Sequence, residues 1–261
     1  MDLKKANKIH TIITKAVTED RIKDNKLFLV GVGPGSSKYL TDLAKEAIRK
    51  SKYLIGYKYT LSIIRDIIIA DFHQVYEVTM KDQDDTYKQV FKKMKENEFC
   101  TIPFTGDVNF SESEVVDRLL EIFGNDNVEL MPGISSIQVA AAKAKIPLDK
   151  STVISFHVTE SIENKKRELV KAIEDKKSVI LVPRPWINNA EKNFMQSEIA
   201  LFLKKEGVDT SSLIVWVFEF LTTAEEKVFK GKLNELEGKN FSPMSVMVID
   251  QVTRKTYLEF E

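Results

Sequence analysis

Residues 27–35, which read LFLVGVGPG, place four apolar residues directly before a turn that holds three glycines and a proline. A short apolar run that ends at glycines is typical of a buried parallel strand that leads into a tight turn. Glycines let the main chain approach a ligand closely, and Pro34 restricts one φ angle. Ligands of open α/β sheets bind beyond the carboxyl ends of the strands. The stretch therefore predicts an α/β fold with a binding site at this turn; a plain strand-to-helix turn is the alternative.

Two phosphate-binding motifs are absent from this turn. A dinucleotide fingerprint requires a third glycine where the chain has Ser36, and a P-loop requires Gly-Lys followed by Ser or Thr. Any ligand of the turn is therefore bound in a different way.

The composition sets the class of protein. The 39 basic and 39 acidic residues cancel, which gives no reason to expect a nucleic-acid partner. The single cysteine, Cys100, excludes an internal disulfide and a cysteine-rich metal site, as is usual in the reducing cytoplasm. No apolar run reaches the length of a membrane span. We therefore expect a cytoplasmic, globular protein with no metal site and no membrane partner.

The first half of the chain alternates apolar strands with amphipathic helices, which predicts βαβ units and a parallel sheet. Before it, residues 1–26 form an extension in which apolar residues recur at helical spacing up to about residue 19, and we interpret this as a docking or dimer-edge helix. Strands are predicted at 27–30, 53–56, 75–78, 99–105 and 128–130, and helices at 41–51, 60–69, 84–97, 114–123 and 137–145.

The second half predicts an α/β domain with a mixed sheet, because its last three strands are close enough in sequence to pair antiparallel. We predict an N-terminal extension at 1–26, an N-terminal domain at 27–148 and a C-terminal domain at 149–261, with a cleft between the two domains. Strands are predicted at 152–157, 178–182, 213–218, 226–230 and 245–250, and helices at 163–174 and 196–205.

Two further turns are candidate binding elements because each follows a predicted strand. In the first, Gly106 and Asp107 begin a loop in which the carboxylate could accept hydrogen bonds from an amine or a ribose hydroxyl, or could cap the next helix. In the second, Ser135 and Ser136 precede a helix, where serines are ordinary caps but exposed amides also suit a carboxylate. Parallel strands end at one edge of a sheet, so these turns should lie near residues 33–35.

The turns resemble, in order and spacing, those of the tetrapyrrole methylase family, and most closely its precorrin-6Y/precorrin-7 branch. The resemblance covers about residues 27–250 and implies two α/β domains with the active site in the cleft, a homodimer, no metal, and transfer of a methyl group from S-adenosylmethionine to C-5 of a corrin precursor in cobalamin biosynthesis. The matching segments are GVGPGS at 31–36 followed by YLT at 39–41, GD at 106–107, PGISSIQ at 132–138, and EFL at 219–221 with EEKV at 225–228 before Gly231.

The resemblance also implies roles for individual residues. The tetrapyrrole is expected over the first turn, the methionyl part of the cofactor at the second and third turns, and the adenine at strand ends of the C-terminal domain. The substrate-binding candidates are Gly33, Pro34 and Gly35, with Lys38 beside them. The cofactor-binding candidates are Gly106, Asp107, Val108, Phe110, Ser135, Ser136, Pro183, Phe218 and Pro243.

Two charged or titratable side chains near predicted strand ends are further candidates. Arg184 follows the strand at 178–182, and a guanidinium pairs with carboxylates of the kind that corrin precursors carry; a surface arginine is the alternative. His157 is the one histidine near a predicted strand end of the cleft. It could act as the base that removes a proton from the macrocycle, or it could be a structural histidine.

The chain departs from the family pattern in two segments. Val108 replaces the usual proline and residues 109–112 lack a glycine-bearing continuation, while SFHVT at 155–159 stands where this branch usually has SLHGR. Two alternatives therefore stay open: a sibling methylase with another ring position or substrate, such as a modified peptide or diphthine, and an inactive homologue that binds S-adenosylmethionine or a tetrapyrrole.

Overall fold

The computed structural model describes residues 27–110, 112–186, 189 and 192–251. The helix predicted before residue 20 lies outside these residues. The contacts between described residues divide the chain into two compact units. One holds residues 27–32 and Leu40–Gly133, and the other holds Gly33–Tyr39 and the described residues from Ile134 onward. Within the described residues, no helix has the length and apolar character that crossing a membrane requires.

The first unit is built on a five-stranded parallel sheet with strand order β3-β2-β4-β1-β5. This confirms the parallel sheet expected from the alternation of strands and helices. The strands are β1 (Leu27–Gly31), β2 (Tyr53–Gly56), β3 (Gln74–Glu77), β4 (Cys100–Phe104) and β5 (Val128–Met131). The helices are α1 (Asp42–Lys50), α2 (Lys58–Ile63), α3 (Gln83–Lys93) and α4 (Ser113–Phe123).

Strand β1 is buried along its whole length because hydrophobic cores lie on both faces of the sheet. Successive side chains of a strand point to opposite faces. Accordingly, Leu27 and Leu29 lie in one core, and Phe28 and Val30 lie in the other. This two-sided burial explains why the strand reads as a continuous apolar run rather than an alternating one.

The helix predicted at 60–69 is shorter in the structure, where α2 is followed by a 3₁₀ turn at Arg65–Ile67. The amide of Ile69 donates to Nδ1 of the buried His73 (2.7 Å) instead of continuing the helical ladder. The other ring nitrogen, Nε2, lies 3.0 Å from the carbonyl oxygen of Ile48. His73 therefore holds the chain between α2 and β3, which sequence periodicity does not reveal.

The second unit contains a five-stranded mixed sheet with strand order β6-β7-β10-β8-β9. Strand β10 is antiparallel to both of its neighbours, and β8 and β9 are antiparallel to each other, which confirms the predicted pairing of the last three strands. The strands are β6 (Ser151–Ser155), β7 (Ser178–Val182), β8 (Ile214–Glu219), β9 (Lys227–Lys232) and β10 (Ser245–Asp250). The helices are α5 (Ser136–Ala144), α6 (Glu163–Glu174) and α7 (Gln196–Lys205).

Helix α5 packs against β10 and β7 of the second sheet. Its buried side chains include Ala140, Ala141 and Ala144, whose small size permits a close approach to the strands. From the sequence we placed residues 134–148 in the N-terminal domain. Their contacts assign them to the second unit.

Candidate active site

Three turns meet at the carboxyl edge of the first sheet because β4, β1 and β5 are neighbours in it. Their main chains are in close contact at Gly31, Gly106 and Gly133. A Cβ atom added at Gly31 would lie 2.6 Å from the amide nitrogen of Gly133 and 2.7 Å from the carbonyl oxygen of Gly106. At Gly133 it would lie 2.5 Å from that same oxygen. No side chain fits at Gly31 or Gly133, so these two glycines are required for the turns to pack.

Asp107 joins two of the turns through its carboxylate. Oδ1 accepts a hydrogen bond from the amide of Asn109 (2.6 Å), and Oδ2 accepts one from the amide of Gly133 (3.2 Å). The alternative that Asp107 caps the following helix is wrong, because α4 begins at Ser113 with Glu112 as its N-cap residue. The half-buried carboxylate thus places a negative charge at the sheet edge.

Val108, which replaces the family's usual proline, is buried in the hydrophobic core of the first unit at 1% exposure. The amide of Phe110 donates to the carbonyl oxygen of Asp107 (3.1 Å), which closes the turn. Valine at position 108 therefore anchors the loop by burial of its side chain.

The serines of the third turn form the start of α5. Oγ of Ser135 accepts from the amide of Ile137 (3.2 Å), while the amide of Ser135 donates to Oε1 of Gln138 (2.8 Å). This reciprocal pair is a capping box, so the interpretation of Ser135 as a helix cap is confirmed. Ser136 is the first residue of the helix, where free main-chain amides favour an anion.

The glycine turn at Gly33–Tyr39 groups with the second unit. Gly33 has a φ of 83°, and a Cβ there would lie 2.9 Å from Cβ of Tyr39. Gly33 and Pro34 are buried, Gly35 is half-buried, and Lys38 is exposed. Of the predicted substrate residues, Lys38 is thus the one with an accessible cation.

Pro183, Phe218 and Pro243 lie at one edge of the second sheet, since the start of β10 is beside the ends of β7 and β8. Pro183 and Phe218 are buried, whereas Pro243 is exposed. The ring of Phe218 stacks on Trp216 with 6.0 Å between centroids. Of these three apolar residues, Pro243 is therefore the one whose side chain is accessible at this edge.

Arg184 is buried at 5% exposure, so the alternative of a surface arginine is wrong. Its Nη2 donates to the carbonyl oxygens of Thr159 (2.8 Å) and Glu160 (3.0 Å) in the loop after β6. His157 begins this loop and is exposed, with its amide donating to Oγ of Ser155 (3.3 Å). The guanidinium of Arg184 therefore ties down the segment that departs from the family pattern.

Glu112 is a functional candidate that sequence reasoning missed. It ends the loop that carries Asp107, and its side chain makes no capping hydrogen bond. Burial raises the pKa of its carboxyl to about 7. The pKa of the Tyr57 hydroxyl is also raised, first by its own burial and then by the charge of Glu112. A carboxyl that titrates near neutrality suits proton transfer, and no pattern in the sequence indicates that this glutamate is half-buried.

We expect Glu112→Gln to stabilise the protein at pH 8 by about 2 kcal/mol and to have little effect at pH 5. The folded-state pKa of about 7 is above the ordinary value of 4.5, so the stabilising contribution of this carboxyl is present at low pH and is lost as the pH rises through 7. Glutamine keeps the uncharged form at every pH. Urea unfolding of both proteins at the two pH values measures the difference.

Glu121→Gln on the exposed side of α4 is the control and should leave the pH dependence unchanged. Parallel pH profiles for the wild type and Glu112→Gln would contradict the assignment of this titration to Glu112.

The comparisons with known proteins identify the family. A profile described as Tetrapyrrole (Corrin/Porphyrin) Methylases matches residues 26–237. The chain belongs to this family. It is therefore a C-methyltransferase that uses S-adenosylmethionine, which confirms the enzyme class and the cofactor implied by the resemblance.

The chain is 31% identical over 227 residues to a probable cobalt-precorrin-7 C(5)-methyltransferase of Methanocaldococcus jannaschii, covering 86% of this chain and 97% of that protein. Its fold is similar to that of a cobalamin biosynthesis precorrin-6Y methylase from Archaeoglobus fulgidus, with a TM-score of 0.60, 18% identity, and coverage of 87% of this chain and 98% of the other. A uroporphyrin-III C-methyl transferase from Thermus thermophilus, in complex with S-adenosyl homocysteine, has a TM-score of 0.64 at 15% identity, covering 86% and 92% of the two chains. These similarities confirm the tetrapyrrole-methylase fold class.

Proposed function

We propose that this tetrapyrrole methylase transfers a methyl group from S-adenosylmethionine to the C-5 meso carbon of a corrin precursor of the precorrin-6Y/cobalt-precorrin-7 type in cobalamin biosynthesis. The observation that carries the proposal is the 31% identity to the probable cobalt-precorrin-7 C(5)-methyltransferase, which extends over 97% of that relative. A similarity over nearly the whole length of that relative is more specific than one shared motif.

The residues at the two sheet edges fit the chemical groups of S-adenosylmethionine. In the first unit, the carboxylate of Asp107 suits the methionyl ammonium, and Gly106, Val108 and Phe110 shape the main chain beside it. In the second unit, the main-chain amide of Ser136, at the start of the helix that Ser135 caps, suits the carboxylate.

The adenine is assigned to the apolar edge formed by Pro183, Phe218 and Pro243. Gln196 is fully buried beside this edge, and its Nε2 donates to Oγ of Ser245 at the start of β10 (2.8 Å).

The chemistry asks the protein mainly to position two reactants. The cofactor supplies an electrophilic methyl group on its sulfonium, and alignment with the ring carbon can lower the barrier by up to ~7–11 kcal/mol. We assign the macrocycle to the turn at Gly33, Pro34 and Gly35, with the ammonium of Lys38 near its carboxylates. His157 is proposed as the base that removes the proton from the methylated carbon.

The test is transfer of an isotopically labelled methyl group from S-adenosylmethionine to corrin intermediates accumulated in a deletion strain. We expect one labelled methyl group, located at C-5 by NMR. A label on another carbon would favour the alternative of a sibling methylase. The differences from the family pattern at Val108 and at residues 155–159 are the reason for testing this alternative. Binding of S-adenosylhomocysteine without any transfer would favour an inactive homologue.

Asp107→Asn should weaken binding of S-adenosylhomocysteine about tenfold or more, because the variant removes a charge worth ~1.5–3 kcal/mol in a charge-assisted hydrogen bond. Asp126→Asn, at an exposed position, is the matched control for calorimetry and should not change the affinity. Equal affinities of Asp107→Asn and the wild type would remove Asp107 from the cofactor site.

We also propose that the enzyme acts as a homodimer in the cytoplasm. The resemblance to the family supports the dimer, and the single, buried cysteine suits a reducing compartment. Light scattering at several protein concentrations would test the dimer.

A further inference from the structure

The turn after β8 holds two residues in a backbone conformation that their side chains disfavour. Phe220 has a φ of 48° and Thr222 a φ of 71°. For a β-branched residue such as threonine, a positive φ is rare because Cβ crowds the main chain. Strained residues of this kind persist only where the surrounding contacts impose them, and they concentrate at functional sites.

The contacts around Thr222 do impose this conformation. Its amide donates to Oε2 of Glu226 (2.6 Å), and Oε1 of Glu226 accepts from Nζ of Lys143 on α5 (2.7 Å). The amide of Phe220 donates to the carbonyl oxygen of Met244 (2.9 Å). The main chain is therefore held at Thr222 by Glu226, which is itself paired with Lys143, and at Phe220 by Met244.

The strained conformation directs the hydroxyl of Thr222 to the glycine turn. Oγ1 of Thr222 accepts a hydrogen bond from the amide of Ser36 at 2.9 Å, across 186 residues of sequence. Ser36 in turn organises the end of its own turn, since its carbonyl oxygen accepts from the amide of Tyr39 (3.0 Å) and its Oγ from the amide of Lys38 (3.3 Å). Thr222 thus anchors the residue that follows Gly33, Pro34 and Gly35 directly.

We propose that Thr222 is a positioning residue, which fixes the glycine turn at 33–35 in the conformation that receives the tetrapyrrole. The substrate part of this inference rests on the proposed function. The hydrogen bond gives a physical reason for the strain: the side chain reaches the Ser36 amide while its own amide is committed to Glu226. A threonine that acted only as a turn residue would leave the glycine turn and substrate turnover unaffected when its hydroxyl is removed.

The experiment compares Thr222→Val, which removes the acceptor at nearly the same shape, with Thr222→Ser, which keeps it. We expect amide hydrogen exchange at Ser36 to become about tenfold faster in Thr222→Val, from loss of one hydrogen bond. The kcat/KM for the corrin intermediate should fall about tenfold, whereas the affinity for S-adenosylhomocysteine should stay within about twofold. Thr222→Ser should behave as the wild type in all three measurements.

Thr223→Val is the matched control, because, in the part of the chain that the structure describes, the hydroxyl of Thr223 bonds within its own turn, to Phe220 and Glu225. It should leave Ser36 exchange and kcat/KM unchanged. If Thr222→Val does not fold, Thr222→Gly removes the same acceptor and adopts a positive φ without strain, so the same results are expected from it.

Unchanged Ser36 exchange in Thr222→Val would overturn the inference, as would faster exchange with unchanged kcat/KM. A Thr222→Ser variant as impaired as Thr222→Val would overturn the role of the hydroxyl. If the wild-type enzyme leaves the corrin unmethylated, the proposed function is overturned, and the substrate part of the inference with it. If the wild type is active but the Thr222 variants give one of these contrary results, the inference alone is overturned.

Discussion

Gly133→Ala should lower the free energy of unfolding by about 3 kcal/mol and reduce methyl transfer about a hundredfold. A Cβ at this position would lie 2.5 Å from the carbonyl oxygen of Gly106 and 2.6 Å from the carbonyl group of Gly31. All of these atoms belong to the main chain, so no side-chain rotation relieves the overlap, and the turns themselves must separate.

The separation would affect the candidate site directly. The amide of Gly133 donates to Oδ2 of Asp107, so a displaced third turn loses the carboxylate that joins it to the second. A displacement of about 1 Å in a site that works by alignment costs on the order of a hundredfold in rate. Urea unfolding and the labelled-methyl assay measure the two effects on the same protein.

Gly238→Ala is the control for replacing a glycine as such. Gly238 has a φ of 75°, and a Cβ there meets no atom within 4 Å. We expect a loss of about 1 kcal/mol from backbone strain and full methyl transfer. A Gly133→Ala protein as stable and as active as Gly238→Ala would show that the three turns do not need their close contact.

The strands and most helices were predictable because burial leaves a periodic record in the sequence. The bounds of α6, α7, β7 and β10 agree with the prediction at both ends, since each is an apolar or amphipathic run with clear polar limits. The family was predictable for a related reason: main-chain contacts leave no room for a side chain at Gly31 or Gly133, and Gly106 has a φ of 77°, which favours glycine. A position that accepts only glycine is visible in the sequence as part of a motif.

Side-chain direction and special backbone conformations were not predictable. The amino-acid sequence around Thr222 does not predict a positive φ. That conformation is imposed by the hydrogen bond of its amide to Glu226 and by the bond of the Phe220 amide to Met244, which is distant in sequence. The partial burial of Glu112 likewise depends on packing rather than on local pattern. The position of Arg184 after β7 was predicted correctly, but its hydrogen bonds to the loop after β6 depend on the pairing of β6 with β7.

Arg184→Ala should lower the free energy of unfolding by about 3–4 kcal/mol. The change removes two charge-assisted hydrogen bonds, leaves the carbonyl oxygens of Thr159 and Glu160 without their donor, and opens a cavity at a side chain that is 5% exposed. Arg184→Lys, which keeps the charge and one donor, should lose about half as much. Arg167→Ala on α6 is the control and should stay within about 0.5 kcal/mol, because that guanidinium is exposed.

The same variants decide between a structural and a substrate-binding role of Arg184. If the main role of Arg184 is to hold residues 157–160, the Arg184→Lys protein should be less stable than the wild type. Its affinity for the corrin should then fall only to the extent that the loop with His157 loses order. Hydrogen exchange of residues 157–160 measures that loss of order. If Arg184 binds a substrate carboxylate, Arg184→Ala should weaken corrin binding about tenfold or more, keep the affinity for S-adenosylhomocysteine within about twofold, and leave the free energy of unfolding nearly unchanged. The burial of the guanidinium and its two carbonyl partners favour the structural role, so we expect the stability loss to dominate.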